Sequence, residues 1–201
     1  MIKRLFDLTI SIAGMFILSP LYVLLILSIY FKLGKPILYR QTRAGFNGEA
    51  FVLYKFRTMR EQYDAEGNPL PDEQRLGPFG RFMRSFSFDE LPELWNVMQG
   101  DMSLVGPRPL LMRYLPRYNA EQMRRHEVKP GITGWAQIHG RNELSWEERF
   151  KQDVWYVDNQ SLWLDIRILA ITIVKILRRE GISAEGHATM PEFTGSTHSG
   201  L

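Results

Sequence analysis

Cysteine is absent from the 201 residues, which excludes a disulfide framework, thiolate zinc sites, iron–sulfur clusters and thiol catalysis, and leaves packing as the source of stability. A large excess of either charge is missing too. With 25 Lys and Arg against 22 Asp and Glu, an anionic partner must be met by local clusters, and nucleic acid is not expected as a partner. The chain contains no internal repeat, no low-complexity tract, no Walker loop and no G-x-G-x-x-G fingerprint. Its histidines, His126, His139, His187 and His198, have no metal-ligand spacing. What is present is a 45% hydrophobic composition, far too rich for a disordered protein.

That apolar content is unevenly placed. Leu8 to Phe31 carries no charged residue and as one helix would reach about 36 Å, more than a hydrocarbon core of about 30 Å. No small-x-small pattern follows, so the segment is expected to be retained rather than cleaved. Lys3 and Arg4 precede it, Lys32, Lys35, Arg40 and Arg43 follow, and Ser19-Pro20 sits at its middle. Two topologies fit. One is a spanning helix with a tolerated proline. The other enters the leaflet, bends at Pro20 and returns, which keeps both positive flanks on the cytoplasmic side.

Beyond the anchor, Ile37 to Arg43 and Ala50 to Met59 read as a β-hairpin around Gly45 and the Asn47-Gly48 turn signal. Residues 60–76 read as a surface loop, with helices around Phe79 to Arg84 and Leu91 to Met98. The Gly/Pro-rich stretches Gly100 to Pro109 and Pro130 to Gly140 read as ordered functional connections, because both hold apolar residues. Ser161 to Arg179 is helical in pattern, but only Ile168 to Val174 is free of charge, too short to cross a bilayer. It either lies in the interface, with Lys175, Arg178 and Arg179 toward lipid phosphates, or packs on the core. The stretch from Gly181 reads as irregular. The fold expected is mainly α with a small β-hairpin, an α+β domain.

Ser85-Phe86-Ser87-Phe88-Asp89-Glu90-Leu91-Pro92 offers adjacent carboxylates just after Arg81 and Arg84, with Pro92 suited to a first helical turn. Asp89 at the N-cap would mark an anion-friendly helix end, while the plain alternative is a cap by Asp89 or a capping box between Ser87 and Glu90. Lys55 and Arg57 share one face of the second strand. In Gly106-Pro107-Arg108-Pro109 two prolines fix the backbone around a guanidinium able to grip phosphate or carboxylate, or simply exposed on a rigid turn. Pro130-Gly131-Ile132-Thr133-Gly134-Trp135, followed by Gly140-Arg141-Asn142, is either a nucleotide-holding or a structural turn. Asp153, Asp158 and Asp165 add acids that suit a divalent cation or an ordinary surface.

Read together, Lys55-Phe56-Arg57-Thr58-Met59, Asp89-Glu90-Leu91-Pro92-Glu93-Leu94-Trp95-Asn96-Val97, Gly100-Asp101-Met102-Ser103, Gly106-Pro107-Arg108-Pro109 and Arg125-His126 through Gly134 resemble the bacterial sugar transferase family, the monotopic phosphoglycosyl transferases. The likeness runs to about residue 190 and is nearest to the small, single-domain, PglC-like members. It favours the re-entrant anchor, a membrane segment over residues 1–35 broken at Ser19-Pro20, with residues 36–201 a cytoplasmic catalytic domain carrying interfacial helices.

The resemblance implies transfer of a sugar phosphate from a UDP-sugar to undecaprenyl phosphate at the cytoplasmic face of the bacterial inner membrane, with release of UMP and dependence on Mg²⁺. This would be the first membrane step of glycoprotein or polysaccharide assembly, feeding downstream glycosyltransferases. Asp89 would be the nucleophile of a covalent phosphosugar intermediate. Glu90 would join Asp89 in holding Mg²⁺ or positioning phosphate. Lys55, Arg108 and Arg141 would contact the diphosphate or the prenyl phosphate, and Asp153 and Asp165 would orient those cations or assist the metal. The sugar suggested is an N-acetylated hexosamine such as di-N-acetylbacillosamine, with GalNAc and GlcNAc derivatives open. The competing reading is a membrane-tethered binding or assembly protein without catalysis.

Overall fold

The computed structural model describes residues 1–140, 144–178 and 192–195. It opens with two helices, α1 (Ile2–Ile17) and α2 (Ser19–Leu33), bent by 62° at Leu18. Pro20 stands in the first turn of α2, where its missing N–H costs nothing, and so begins a new helix instead of continuing the old one. Each arm alone, at about 24 Å or less, is shorter than a hydrocarbon core of about 30 Å, and among the described residues no single helix is long and apolar enough to cross a membrane.

The first arm is inside-out relative to a helix of a water-soluble protein. It buries Asp7 and Ser11 while exposing Ile10, Ile12, Phe16 and Ile17, and α2 likewise exposes Val23, Leu24, Leu27 and Phe31. The buried polar groups are ties. Asp7 accepts from Ser103 Oγ at 2.9 Å and from the Leu104 amide at 3.2 Å. Arg4 donates to the carbonyls of Val97 and Met98. Lys3 pairs with buried Asp165 at 2.5 Å, whose other oxygen lies 2.6 Å from the Tyr156 hydroxyl. At the far end, Arg57 donates to the Leu33 carbonyl and, at 2.6 Å, to that of Gly34. Both ends of the bent pair are therefore gripped by the same folded body.

Strands β1 (Leu38–Ala44) and β2 (Ala50–Phe56) pair antiparallel, with Leu38 opposite Phe56 and Ala44 opposite Ala50. Asn47 and Gly48 take positive φ at the turn, as the Asn-Gly signal predicts. Short helices α3 (Asp72–Arg75) and α4 (Pro78–Ser85) follow, then a 3₁₀ turn at Phe88–Glu90 and α5 (Glu93–Gln99). Fully buried Asn96 completes the free edge of β2, accepting from the Tyr54 amide at 3.1 Å and donating to the Val52 carbonyl at 2.7 Å. This side chain replaces a missing strand and fixes α5 against β2.

A second sheet, absent from the sequence expectation, is a parallel pair of three-residue strands, β3 (Ser103–Val105) and β4 (Gly131–Thr133). It explains the glycines of both Gly/Pro-rich stretches. A Cβ on Gly106 would lie 2.3 Å from the Lys129 carbonyl oxygen, and one on Gly131 would lie 2.0 Å from the Gly106 nitrogen. The chain continues through α6 (Ala120–Met123), which precedes β4, then α7 (Trp135–Ile138), α8 (Trp146–Asn159) and α9 (Leu162–Arg178). Helix α8, also unforeseen, starts at a reciprocal capping box between Ser145 and Glu148.

Three buried clusters hold these parts together. Val97, Val105, Tyr156 and Ile168 join α5, β3, α8 and α9. Leu25 and Ile29 of α2 pack on Phe56 and Met83. Leu110, Tyr114 and Phe150 enclose Phe193. Full burial of one such side chain contributes about 1.5–3 kcal/mol relative to exposure.

Candidate active site

Asp89 and Glu90 are presented by the tight turn between α4 and α5. Ser87 takes a left-handed backbone, φ 54°, uncommon for a residue with a Cβ and often found where a site requires it. Neither the capping box between Ser87 and Glu90 nor an Asp89 cap forms, since the turn has no side-chain cap and α5 starts only at Glu93. The carboxylate of Glu90 is instead committed to cations. Its Oε1 accepts from Lys55 Nζ at 2.8 Å and from Arg108 Nη2 at 2.7 Å. Lys55 Nζ also lies 3.1 Å from Glu93 Oε1, so it is held between two buried carboxylates.

The rest of the site supports this arrangement. The backbone carbonyl of Arg108 accepts from Arg125 Nη2 at 2.7 Å, and Arg125 is clamped by Asp153, its Nε and Nη2 lying 3.0 and 2.8 Å from Oδ2. Asp153 thus orients Arg108 through Arg125, a step two residues removed from any ligand. Arg84, whose Nε donates to Thr58 Oγ1 at 3.1 Å, faces the same region. Arg57 shares the cavity face with Lys55 as expected, yet its guanidinium is spent on the end of α2.

Two cavities meet here. The larger, about 1550 Å³, is lined by the hairpin, Asp89, Glu90, Arg108 and the start of α8, with nine cationic side chains against six carboxylates. The smaller, about 570 Å³, is lined mainly by apolar groups, among them Leu18 and Leu21 at the helix bend, Phe88, Leu91, Ile132 and Ile176, with Lys175 also in its lining. Ser87, Glu90, Arg108 and Gln137 line both and form their common wall. Asp89 faces the larger cavity only.

Electrostatics at the wall follow from burial. Desolvation, then the neighbouring Glu90 charge, raise the Asp89 carboxyl above its ordinary value, opposed by Lys55, Arg84 and Arg108. Burial pushes the Lys55 ammonium down, but Glu90 and Glu93 outweigh it and its proton is held more tightly than usual. Glu93, 2% exposed, is pushed up to about 7 by burial despite Lys55. Glu90, foremost, holds the Arg108 charge firmly in place.

Of the expected site residues, Lys55, Asp89, Glu90, Arg108 and Asp153 converge. Asp165 lines neither cavity and serves the anchor instead. Arg141 lies outside the described residues. Asp158 pairs with Arg124 on the surface. Residue pattern alone assigns no role to Glu93 or Arg125, although Glu93 stands three to four residues beyond Asp89 and Glu90, the spacing of a shared helix face.

No cluster of three metal-ligating side chains occurs among the described residues. Magnesium usually takes only one or two carboxylates and fills its shell with phosphate and water, so the adjacent Asp89 and Glu90 carboxylates on a polar cavity rich in cations fit that ion.

The bacterial sugar transferase family profile matches residues 1–179. Among known proteins, the chain is 55% identical over 195 residues to an uncharacterized sugar transferase, EpsL, of Bacillus subtilis, covering 97% of this chain and 96% of that one. It is 39% identical to an undecaprenyl-phosphate galactose phosphotransferase of Salmonella typhimurium, over 90% of this chain and 41% of the relative. A UDP-glucose:undecaprenyl-phosphate glucose-1-phosphate transferase of Xanthomonas campestris is 38% identical over 87% of this chain and 38% of its own length. The chain thus spans nearly all of the first relative and about two fifths of the other two.

Proposed function

The chain belongs to the bacterial sugar transferase family, and from that premise we propose that it moves a sugar phosphate from a UDP-sugar to undecaprenyl phosphate through a covalent bond to Asp89. The observation that carries this reading is the pair of cavities of opposite character meeting at Glu90 and Arg108, with Asp89 on the polar side. A hydrophilic nucleotide and a prenyl chain need different solvents, and the only place for their phosphates to react is the wall between them.

In the first step an Asp89 carboxylate oxygen attacks the sugar-bearing phosphorus. The P–O bond to the UMP phosphate breaks, and UMP leaves with the bridging oxygen and its electron pair. In the second, a phosphate oxygen of undecaprenyl phosphate attacks the same phosphorus and the Asp89 oxygen departs, giving the prenyl diphosphate sugar and the free carboxylate. Each step brings anion to anion, so fixed positive charge must come first. Lys55 and Arg108, already ordered by Glu90, provide it on the donor side. Arg108 also faces the apolar cavity, where Lys175 adds a cation for the acceptor phosphate. A magnesium ion held by Asp89 and Glu90 would supply further charge neutralisation at the diphosphate.

The anchor supports the same reading. Two arms each too short to span, exposing apolar faces and held at both ends by one domain, suit a re-entrant hairpin, which would leave the site at headgroup depth on the cytoplasmic face of the inner membrane. The absence of native cysteine makes Ile2→Cys a clean label, expected to react from the cytoplasmic side only. Domain limits of 1–35 and 36–201, the product's use by later glycosyltransferases, and a UDP-N-acetylated hexosamine as donor complete the proposal.

Purified protein incubated with undecaprenyl phosphate, Mg²⁺ and a panel of UDP-sugars, including glucose, galactose and the N-acetylated hexosamines, should release UMP with one of them. Asp89→Asn should abolish release while keeping the fold, and donor alone should leave a phosphosugar adduct on the wild type by intact mass. A silent wild type would return the tethered-assembly reading, and turnover by Asp89→Asn would remove the nucleophile.

A further inference from the structure

The C-terminal segment Glu192–Gly195 packs beside the large cavity, far in sequence from the residues it meets. Phe193, 3% exposed, is surrounded by four rings, with centroids 5.0 Å from Phe150, 5.6 Å from Trp146, 5.7 Å from Tyr118 and 5.8 Å from Tyr114. Two of those rings, Tyr114 and Trp146, also line the cavity that holds Asp89, as does Glu192 itself. Glu192 accepts from Arg117 at 2.9 Å and from Arg113 at 3.0 Å, and Arg117 also donates to the Phe193 carbonyl. The guanidinium of Arg113 lies 5.8 Å from the Tyr114 ring centre and that of Arg149 lies 5.1 Å from Trp146.

A plug of this kind can serve stability alone. Here, however, the backed rings belong to the wall of a cavity whose other part carries the phosphate-directed Lys55, Arg108 and Asp89. We propose that this aromatic wall is the nucleoside subsite of the donor, and that Glu192–Phe193 builds it by holding Tyr114 and Trp146 in place. This inference rests on the donor reading above. A uracil ring has a flat face that stacks on aromatic side chains whatever its hydrogen-bonding edge. Phe193 and Glu192 are positioning residues, acting through the rings and the arginines they hold.

The test is binding of UMP and of inorganic pyrophosphate to the full-length protein, by calorimetry in Mg²⁺ without acceptor, alongside the KM values for UDP-sugar and undecaprenyl phosphate. Phe193→Ala should weaken UMP binding and raise the UDP-sugar KM by about tenfold, the size expected for loss of one base stack. Pyrophosphate binding and the acceptor KM should not move. Glu192→Gln, at a half-exposed surface position, should keep the melting temperature and shift UMP binding a few-fold in the same direction. If Phe193→Ala does not fold, that second variant decides. Equal losses for UMP and pyrophosphate, unchanged UMP binding in a folded variant, or no UMP binding by the wild type would each overturn the subsite. A wild type that binds UMP in a Phe193-dependent way yet turns over no UDP-sugar would sink the transferase reading and leave the subsite standing.

Discussion

The two cavities differ in size, lining and origin, and the difference separates what the fold must do for each substrate. The large one, about 1550 Å³, is built by the hairpin, the Arg108 turn and α8, all tied to one another by buried charge. The small one, about 570 Å³, is closed by the helix bend, the Phe88–Glu90 turn and α9, mainly through apolar side chains. Charged side chains crowd the lining of the larger cavity and the partition, and Lys175 is the one further charged group in the described lining of the smaller. The proposed transfer needs that division, because a charge in the apolar cavity with no phosphate to meet would be costly to desolvate, and an apolar wall around the diphosphate would leave its charge unanswered.

The largest effect should come from the partition itself. Arg108→Ala removes the one cation that, among the described residues, lines both cavities, and takes from Glu90 one of the two cations on its Oε1. UMP release in a single turnover and transfer to acceptor should both fall, each by roughly a hundredfold, as for loss of a preorganised charge contact. A loss confined to the first step would show that the partition serves the donor only. Next in size, Ile176→Asn places an amide in the apolar cavity. It should raise the KM for undecaprenyl phosphate by about tenfold and leave single-turnover UMP release alone. An equal change in both would end the division of labour between the cavities.

A third, subtler test concerns pH. As the proposed nucleophile Asp89 must be ionised, and burial with Glu90 lifts its carboxyl, so under that proposal the donor step should rise with pH along an acid limb above the ordinary aspartate range. Arg84 opposes that lift. Arg84→Gln removes a positive charge that favours the carboxylate, and the limb should move to higher pH. A limb that stays in place, or moves down, would assign it to another group.

These contrasts were only partly legible in the chain. Asn47-Gly48 announces its turn because two adjacent left-handed residues suit few other pairs, and Pro20 announces the bend because it removes a backbone donor. The convergence of Lys55, Asp89, Glu90 and Arg108 was expected from family likeness, and residue spacing by itself left Asp89 as a cap. The alternative of a capping box between Ser87 and Glu90 does not hold, because Glu90 has stronger partners in Lys55 and Arg108. Helix α8 was missed although Ser145 and Glu148 carry its start signal. Strands β3 and β4 are too short to show periodicity, and their pairing is set by glycines in segments far apart. Glu93 and Arg125 act through partners brought together only by the tertiary fold, as does Asp165, whose charge belongs to Lys3 and the anchor.

The smallest expected effect tests whether the polar side of the partition stores a cost. Glu93 shares Lys55 with Glu90, its Oε1 lying 3.1 Å from Nζ, and its carboxyl is pushed up to about 7 from an ordinary 4.5. Between those values the folded protein keeps a proton that the unfolded chain gives up. Its contribution to stability is therefore complete below about 4.5, declines as pH rises, and is gone above about 7. Glu93→Gln does not titrate and has nearly the shape of the protonated acid. Its melting temperature should match the wild type near pH 4.5 and exceed it by a few degrees at pH 8. The attraction of Lys55 for the ionised form limits the gain and gives the variant only a few-fold change in UMP release. A difference in melting temperature that does not grow with pH would mean that Glu93 is ionised throughout, and that Lys55 stabilises two carboxylates rather than one.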